Sequence, residues 1–94
     1  MYQDTVNGKD NVRMEQIALE KLSPGDHATV AALRGLSVRA RQRLLEMGVT
    51  SGTHLQFVRR APFGDPIEIN MQGYRLMLRC TEAQGIFVFP DKDM

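Results

Sequence analysis

The sequence predicts a mainly β fold, a small partly open barrel of about five short strands with one short amphipathic helix. Three observations lead there. Apolar and polar residues alternate with period two in several short segments separated by glycine and proline turns. A single stretch, Val38 to Met47, switches to the helical period instead. The chain has 94 residues, the size of one domain with a small core, for which closing a sheet on itself limits exposed edges.

Taken in order, Met1 to Arg13 carries Asn, Gly, Asp, Lys and Gln with almost no large apolar residue. Residues 1–13 are therefore expected to be a disordered polar extension, 14–90 a single domain and 91–94 a polar tail. Ile17, Leu19 and Leu22 supply the first apolar anchors, and Ser23-Pro24-Gly25-Asp26 is a turn with proline preset at its second position. His27 to Leu33 reads as the first substantial strand, through Ala28 and Val30. Ser37 is a good N-cap for a helix over Val38 to Met47, and Gly48 stands where a left-handed residue ends it. Ala40, Leu44 and Met47 at i, i+4 and i+7 give one buried stripe, widened by Leu45, while Arg39, Arg43 and Glu46 point elsewhere. Such a helix is too short to persist in water without packing on a sheet.

Val49 to Gly52 is a turn, and a strand begins at His54 with Leu55 and Phe57 on one face. Ile67 and Ile69 alternate with Glu68 and Asn70, Gln72-Gly73 turns the chain, and Tyr74, Leu76 and Leu78 alternate with Arg75, Met77 and Arg79, which is a hairpin. Thr81 to Gln84 reads as one helical turn ending at Gly85, and Ile86 to Phe89 as a last strand stopped by Pro90. A helix inserted after the first strand suits an SH3-like barrel. An OB-like barrel has longer strands and its helix after the third.

The most individual stretch is Ala61-Pro62-Phe63-Gly64-Asp65-Pro66, with two prolines, a glycine and an aspartate crowded between alternating apolar segments. Prolines fix φ and glycine permits positive φ, so these residues serve either as a barrel corner or as a stiff knob that presents Pro62 and Phe63 to a partner. A preordered loop loses little entropy on docking. Arg39, Arg43, Arg59, Arg60, Arg75 and Arg79 are candidates for a basic face, against the ordinary alternative of solvated strand and helix faces.

Twelve basic against eleven acidic residues leave a formal charge of +1, which argues against a surface built for nucleic acid. The single cysteine, Cys80, excludes an internal disulfide and fits a reducing compartment. No apolar run reaches the ~18 residues that span a bilayer. His27, His54 and Cys80 are weak metal candidates without mutual ligand spacing: the histidines read as surface residues at strand ends and Cys80 as a small packed hydrophobe. No Walker sequence, serine nucleophile motif or paired acid and base is present, so we expect neither an enzyme nor a cofactor.

Leu22-Ser-Pro-Gly25, Arg43-Leu-Leu-Glu-Met-Gly-Val49, Gly52, Ala61-Pro-Phe-Gly-Asp-Pro-Ile67 and Leu76-Met-Leu-Arg-Cys-Thr-Glu-Ala83 with Ile86-Phe-Val88 resemble the FeoA family, ferrous iron transport protein A, in order and at the family's spacing. The resemblance implies an SH3-like barrel similar to the C-terminal domain of metal-dependent bacterial repressors. It further implies a cytoplasmic accessory, at most peripheral to the inner face of the membrane, of the ferrous iron transporter FeoB. The expected docking surface is Pro62, Phe63, Gly64, Asp65 and Pro66 with Arg39, Arg43 and Arg60, the loop being supported by Tyr74 and Leu76 to Leu78. Short edge strands make a homo-oligomer reasonable. The second reading is a metal-sensing barrel that binds a transition metal ion.

Overall fold

The structure, a computed structural model, describes residues 15–91. The extension expected over 1–13 and the tail beyond Asp91 lie outside the described residues. The strands are β1 (Ile17–Ala18), β2 (His27–Leu33), β3 (His54–Arg60), β4 (Ile67–Met71), β5 (Tyr74–Leu78) and β6 (Ile86–Pro90), with helices α1 (Val38–Glu46) and α2 (Cys80–Ala83) and a 3-10 turn at Leu19–Lys21. They form one six-stranded antiparallel sheet in the order β1-β6-β2-β3-β4-β5. The five expected strands are all present. The sixth, β1, joins β6 through Ile17 opposite Val88 and Ala18 opposite Phe87, a run too short to carry a period-two signal.

Local chemistry explains the connections. Gln72 (φ 50) and Gly73 (φ 92) both have positive φ, the requirement of a two-residue I′ turn, whose twist matches that of the flanking strands. At α1 the Ser37 Oγ accepts the Ala40 N–H at 3.1 Å. The helix ends at Glu46, one residue before the Met47 boundary expected from the sequence, with Met47 as its C-cap, and Gly48 follows with φ +92. The Tyr74 hydroxyl donates to the Met47 carbonyl at 2.5 Å, satisfying one of the carbonyls a helix end leaves unpaired. Of the expected stripe only Leu44 is fully buried; Ala40, Leu45 and Met47 are half-buried.

The core is built mainly from the strands, through Leu55, Phe57, Ile67, Ile69 and Val88, with Leu19 from the 3-10 turn, Leu44 from α1 and Ala83 from α2, all buried. Two register shifts shape it, between Val30 and Ala32 in β2 and between Phe57 and Arg59 in β3. The second reverses the alternation: Arg59 stands opposite Glu68, and Arg60 opposite the buried Ile67.

At Gly85 an added Cβ would lie 2.5 Å from Leu36 Cδ2 and 2.7 Å from the Arg34 carbonyl oxygen. The leucine can rotate. The carbonyl is fixed, because the Arg34 amide donates to the Gly85 carbonyl at 2.9 Å. Gly85→Ala is expected to lower stability by about 1–3 kcal/mol through overpacking, seen as a lower denaturant midpoint at unchanged slope.

Candidate functional site

The loop between β3 and β4 is tied at its base and at its tip. The Ala61 N–H donates to the Pro66 carbonyl at 3.0 Å, and the Gly64 N–H donates to the Ala61 carbonyl at 2.7 Å. Gly64 has φ +89, and the Asp65–Pro66 peptide is cis. A second set of bonds comes from the start of α2: the Cys80 N–H donates to Asp65 Oδ1 at 3.1 Å, and the Cys80 thiol donates to the Gly64 carbonyl at 3.0 Å. Within this frame the Phe63 ring is 98% exposed and no part of the core.

Glu82 connects the loop to α1. Its carboxylate accepts the Arg79 amide at 2.9 Å, the N-cap donor of its own helix, and pairs with the Arg43 guanidinium. Glu82 is 8% exposed, so Arg43 covers a buried charge. Arg43, Asp65, Pro66, Met77, Leu78 and Arg79 line a shallow hollow of about 430 Å³ beside the loop. The structure therefore brings Arg43 next to the loop residues named from the sequence, with Met77 at the rim 50% exposed. Arg39 lies farther along α1, beside an adjoining hollow that it lines with Val38, Gln42, Arg43 and Glu46.

Other residues fall elsewhere. Arg60 is turned under the loop, its guanidinium 5.0 Å from the Phe57 ring centroid and donating to the Glu20 carbonyl and, at 3.3 Å, to the Leu22 carbonyl. Arg59 and Arg75 both pair with Glu68, at 3.4 and 2.6 Å. The expected single basic face is thus divided: successive strand residues point to opposite sides, and the shift at Val58 decides that Arg60, not Arg59, falls on the side of the buried Ile67. Tyr74 sits opposite Met71, while Leu78 sits opposite Ile67. Leu78 therefore supports the loop, and Tyr74, at the other end of the hairpin, supports the end of α1 instead.

The metal candidates separate. Cys80 belongs to the loop frame. His27 and His54 converge: His27 Nδ1 is 3.2 Å from His54 Nε2, although nothing in their spacing of 27 residues suggests it. Among the described residues no group of three or more His, Cys, Asp or Glu is close enough together to hold a metal ion.

Fold and site together define a small SH3-like domain with a hydrogen-bonded surface loop. The chain belongs to the FeoA family, since it matches the FeoA domain over residues 17–90, as the sequence motifs imply. It is 36% identical over 70 residues to an Fe(2+) transport protein A/Fe(2+) transporter FeoB fusion protein of Porphyromonas gingivalis. That match takes in 74% of this chain, but the chain spans only 8% of the length of this curated relative. The solution structure of FeoA from Chlorobium tepidum matches with TM-score 0.74 and 38% identity, covering 82% of this chain and 75% of that one. FeoA from Stenotrophomonas maltophilia, an SH3 domain protein solved with zinc, matches with TM-score 0.68 and 24% identity over 81% of this chain and 96% of that one. A manganese-dependent transcriptional repressor matches with TM-score 0.75 and 22% identity over 81% of this chain and 37% of that one. These last two establish the shared fold alone. No helix among the described residues is long and apolar enough to cross a membrane.

The Cys80 thiol is held above the ordinary thiol range, first by burial and then by the Asp65 carboxylate, with Arg60 opposing. The unfolded thiol ionises first, so this group's contribution to stability is present below the ordinary thiol pKa and lost as pH rises through and above it. Because the thiolate is the nucleophile, alkylation by iodoacetamide, followed by mass spectrometry, should be slower in the folded chain than in denaturant. Asp65→Asn, which keeps the Oδ1 acceptor and removes the charge, should accelerate it.

Proposed function

We propose that this protein is a non-enzymatic cytoplasmic accessory of ferrous iron uptake that docks on the FeoB transporter and supports Fe(II) transport. The observation that carries the reading is Phe63, 98% exposed on a loop already held by four hydrogen bonds, three to its backbone and one to the Asp65 side chain. An isolated aromatic exposed on a rigid loop suits a pocket on a partner, since aromatic anchors dominate interface energetics. Membership of the FeoA family and the Porphyromonas gingivalis fusion, in which a transport protein A segment and FeoB share one chain, support the choice of partner.

In this reading Pro62, Phe63 and Pro66 supply the apolar contact. Arg39 and Arg43 at the neighbouring hollows meet acidic groups on the transporter. Because Arg43 is committed to Glu82, the electrostatic part is modest and acts more on association rate than on affinity.

Calorimetric titration of this chain into FeoB held in nanodiscs, and into the soluble GTP-binding domain of FeoB, tests the proposal. Phe63→Ala should weaken binding by about 1 kcal/mol or more, while its stability stays within about 0.5 kcal/mol of the parent. Raising salt from about 0.05 to 0.5 M should weaken binding less than Phe63→Ala does. Equal affinity of the parent and Phe63→Ala, or no binding to either FeoB preparation, overturns it.

A further inference from the structure

We propose that His27 and His54 form a two-imidazole site for a borderline divalent transition cation such as zinc(II), at the opposite end of β3 from the docking loop. The sheet register assembles the pair. His27 is opposite Gln56 and Thr29 is opposite His54, so the two histidines are diagonal neighbours on one face. Ala28, Val30, Leu55 and Phe57 on the other face are buried, which leaves the imidazoles on the solvent side. Their ring planes are inclined by 22° with centroids 5.3 Å apart, so the rings meet edge to edge through His27 Nδ1 and His54 Nε2.

The distance between the facing nitrogens is the specific observation. Two nitrogen ligands about 2.0–2.1 Å from a tetrahedral zinc ion are about 3.3–3.4 Å from each other. His27 Nδ1 and His54 Nε2 are 3.2 Å apart, so the spacing of the two nitrogens is within a few tenths of an ångström of that of two ligands on one cation. In the cation-free pair one of these nitrogens is protonated and donates to the other. On binding, the donor ring releases that proton to water and takes one up at its far nitrogen, so both facing nitrogens offer lone pairs and no net proton is lost. Imidazole favours zinc, copper, nickel and iron(II) over magnesium or calcium.

The acidic residues nearest in the chain pairing are Asp26, whose carboxylate accepts the Ser23 amide at 2.9 Å, and Asp91, whose amide donates to the His27 carbonyl at 2.9 Å. Neither completes a three-ligand cluster among the described residues. Two coordination positions are then left for water or for a donor from a second molecule, which makes the site open and exchangeable. The inference is independent of the docking reading, because it uses no residue of that surface.

The test is a titration of the full chain with zinc chloride, following the ring nitrogen shifts of both histidines by NMR and the binding heat by calorimetry. The expected result is saturable binding with both rings shifting together, and loss of at least about tenfold in affinity in His27→Gln and in His54→Gln, since even partners of metal ligands are worth about 10–100-fold. Both variants are on the solvent side and are checked for fold by their amide spectra. Cys80→Ser should bind zinc as the parent does. Absence of saturable binding, unshifted histidine rings, or unchanged affinity in a folded single-histidine variant overturns the site.

Discussion

The carboxylate of Glu82 is the contact on which the arrangement of the candidate docking surface depends. A buried carboxylate costs several kcal/mol unless it is paired and hydrogen-bonded. Glu82 meets both conditions, through the Arg43 guanidinium and the Arg79 amide. With Arg43 half-exposed, the net contribution of the pair to stability is small. Its consequence is positional: it fixes the four-residue helix α2 against α1, and the first residue of α2, Cys80, holds Gly64 and Asp65. Helix, turn and loop therefore form one unit although they are distant in sequence.

Charge is distributed with the same economy. Glu68, 6% exposed, takes Arg59 from β3 and Arg75 from β5, so one carboxylate in a middle strand serves two guanidiniums from its neighbours. Arg60 is consumed differently, by stacking over Phe57 and by carbonyls of the 3-10 turn region. Arginine supports such roles because its planar fork stacks and donates at once. A chain with twelve basic residues thus uses several of them to cover buried acids and backbone, and the basic character at the candidate docking surface is correspondingly reduced.

How much of this was legible in the sequence follows the range of each interaction. The strands, α1 with its Ser37 cap, and the Gln72-Gly73 turn rest on local periodicity and local hydrogen bonds, and the residues announce them. The loop was legible as a shaped loop, because proline and glycine act on their own φ. The roles of Arg59 and Arg60 were not. That Arg59 and Arg60 diverge follows from strand alternation, but which of them meets Glu68 and which turns toward Phe57 is set by one extra residue at Val58 in the pairing of β3 with β4, which no pattern within β3 reveals. Glu82 was hidden because a carboxylate on a short helix looks like a solvated one until Arg43, 39 residues away, is brought beside it. His27 and His54 are similar: only the β2–β3 register makes them neighbours. β1 escaped notice because two residues have no period.

The fixed loop also sets the energetics of the proposed docking. Burying a phenylalanine side chain is worth about 1.5–3 kcal/mol, whereas ordering one residue's backbone costs about 1–2 kcal/mol. An aromatic on a loop that had to be ordered on binding would lose its whole gain in two or three residues. Residues 61–66 incur little of that cost, since Ala61, Gly64, Asp65 and Pro66 are already engaged in the free protein. In the proposed docking, Cys80 and Glu82 would act on partner binding without touching the partner, by keeping the loop in the conformation that offers Phe63. The proposed docking unit then extends from the exposed ring down to the buried carboxylate, and a substitution anywhere along it would act on docking in proportion to how far it loosens residues 61–66.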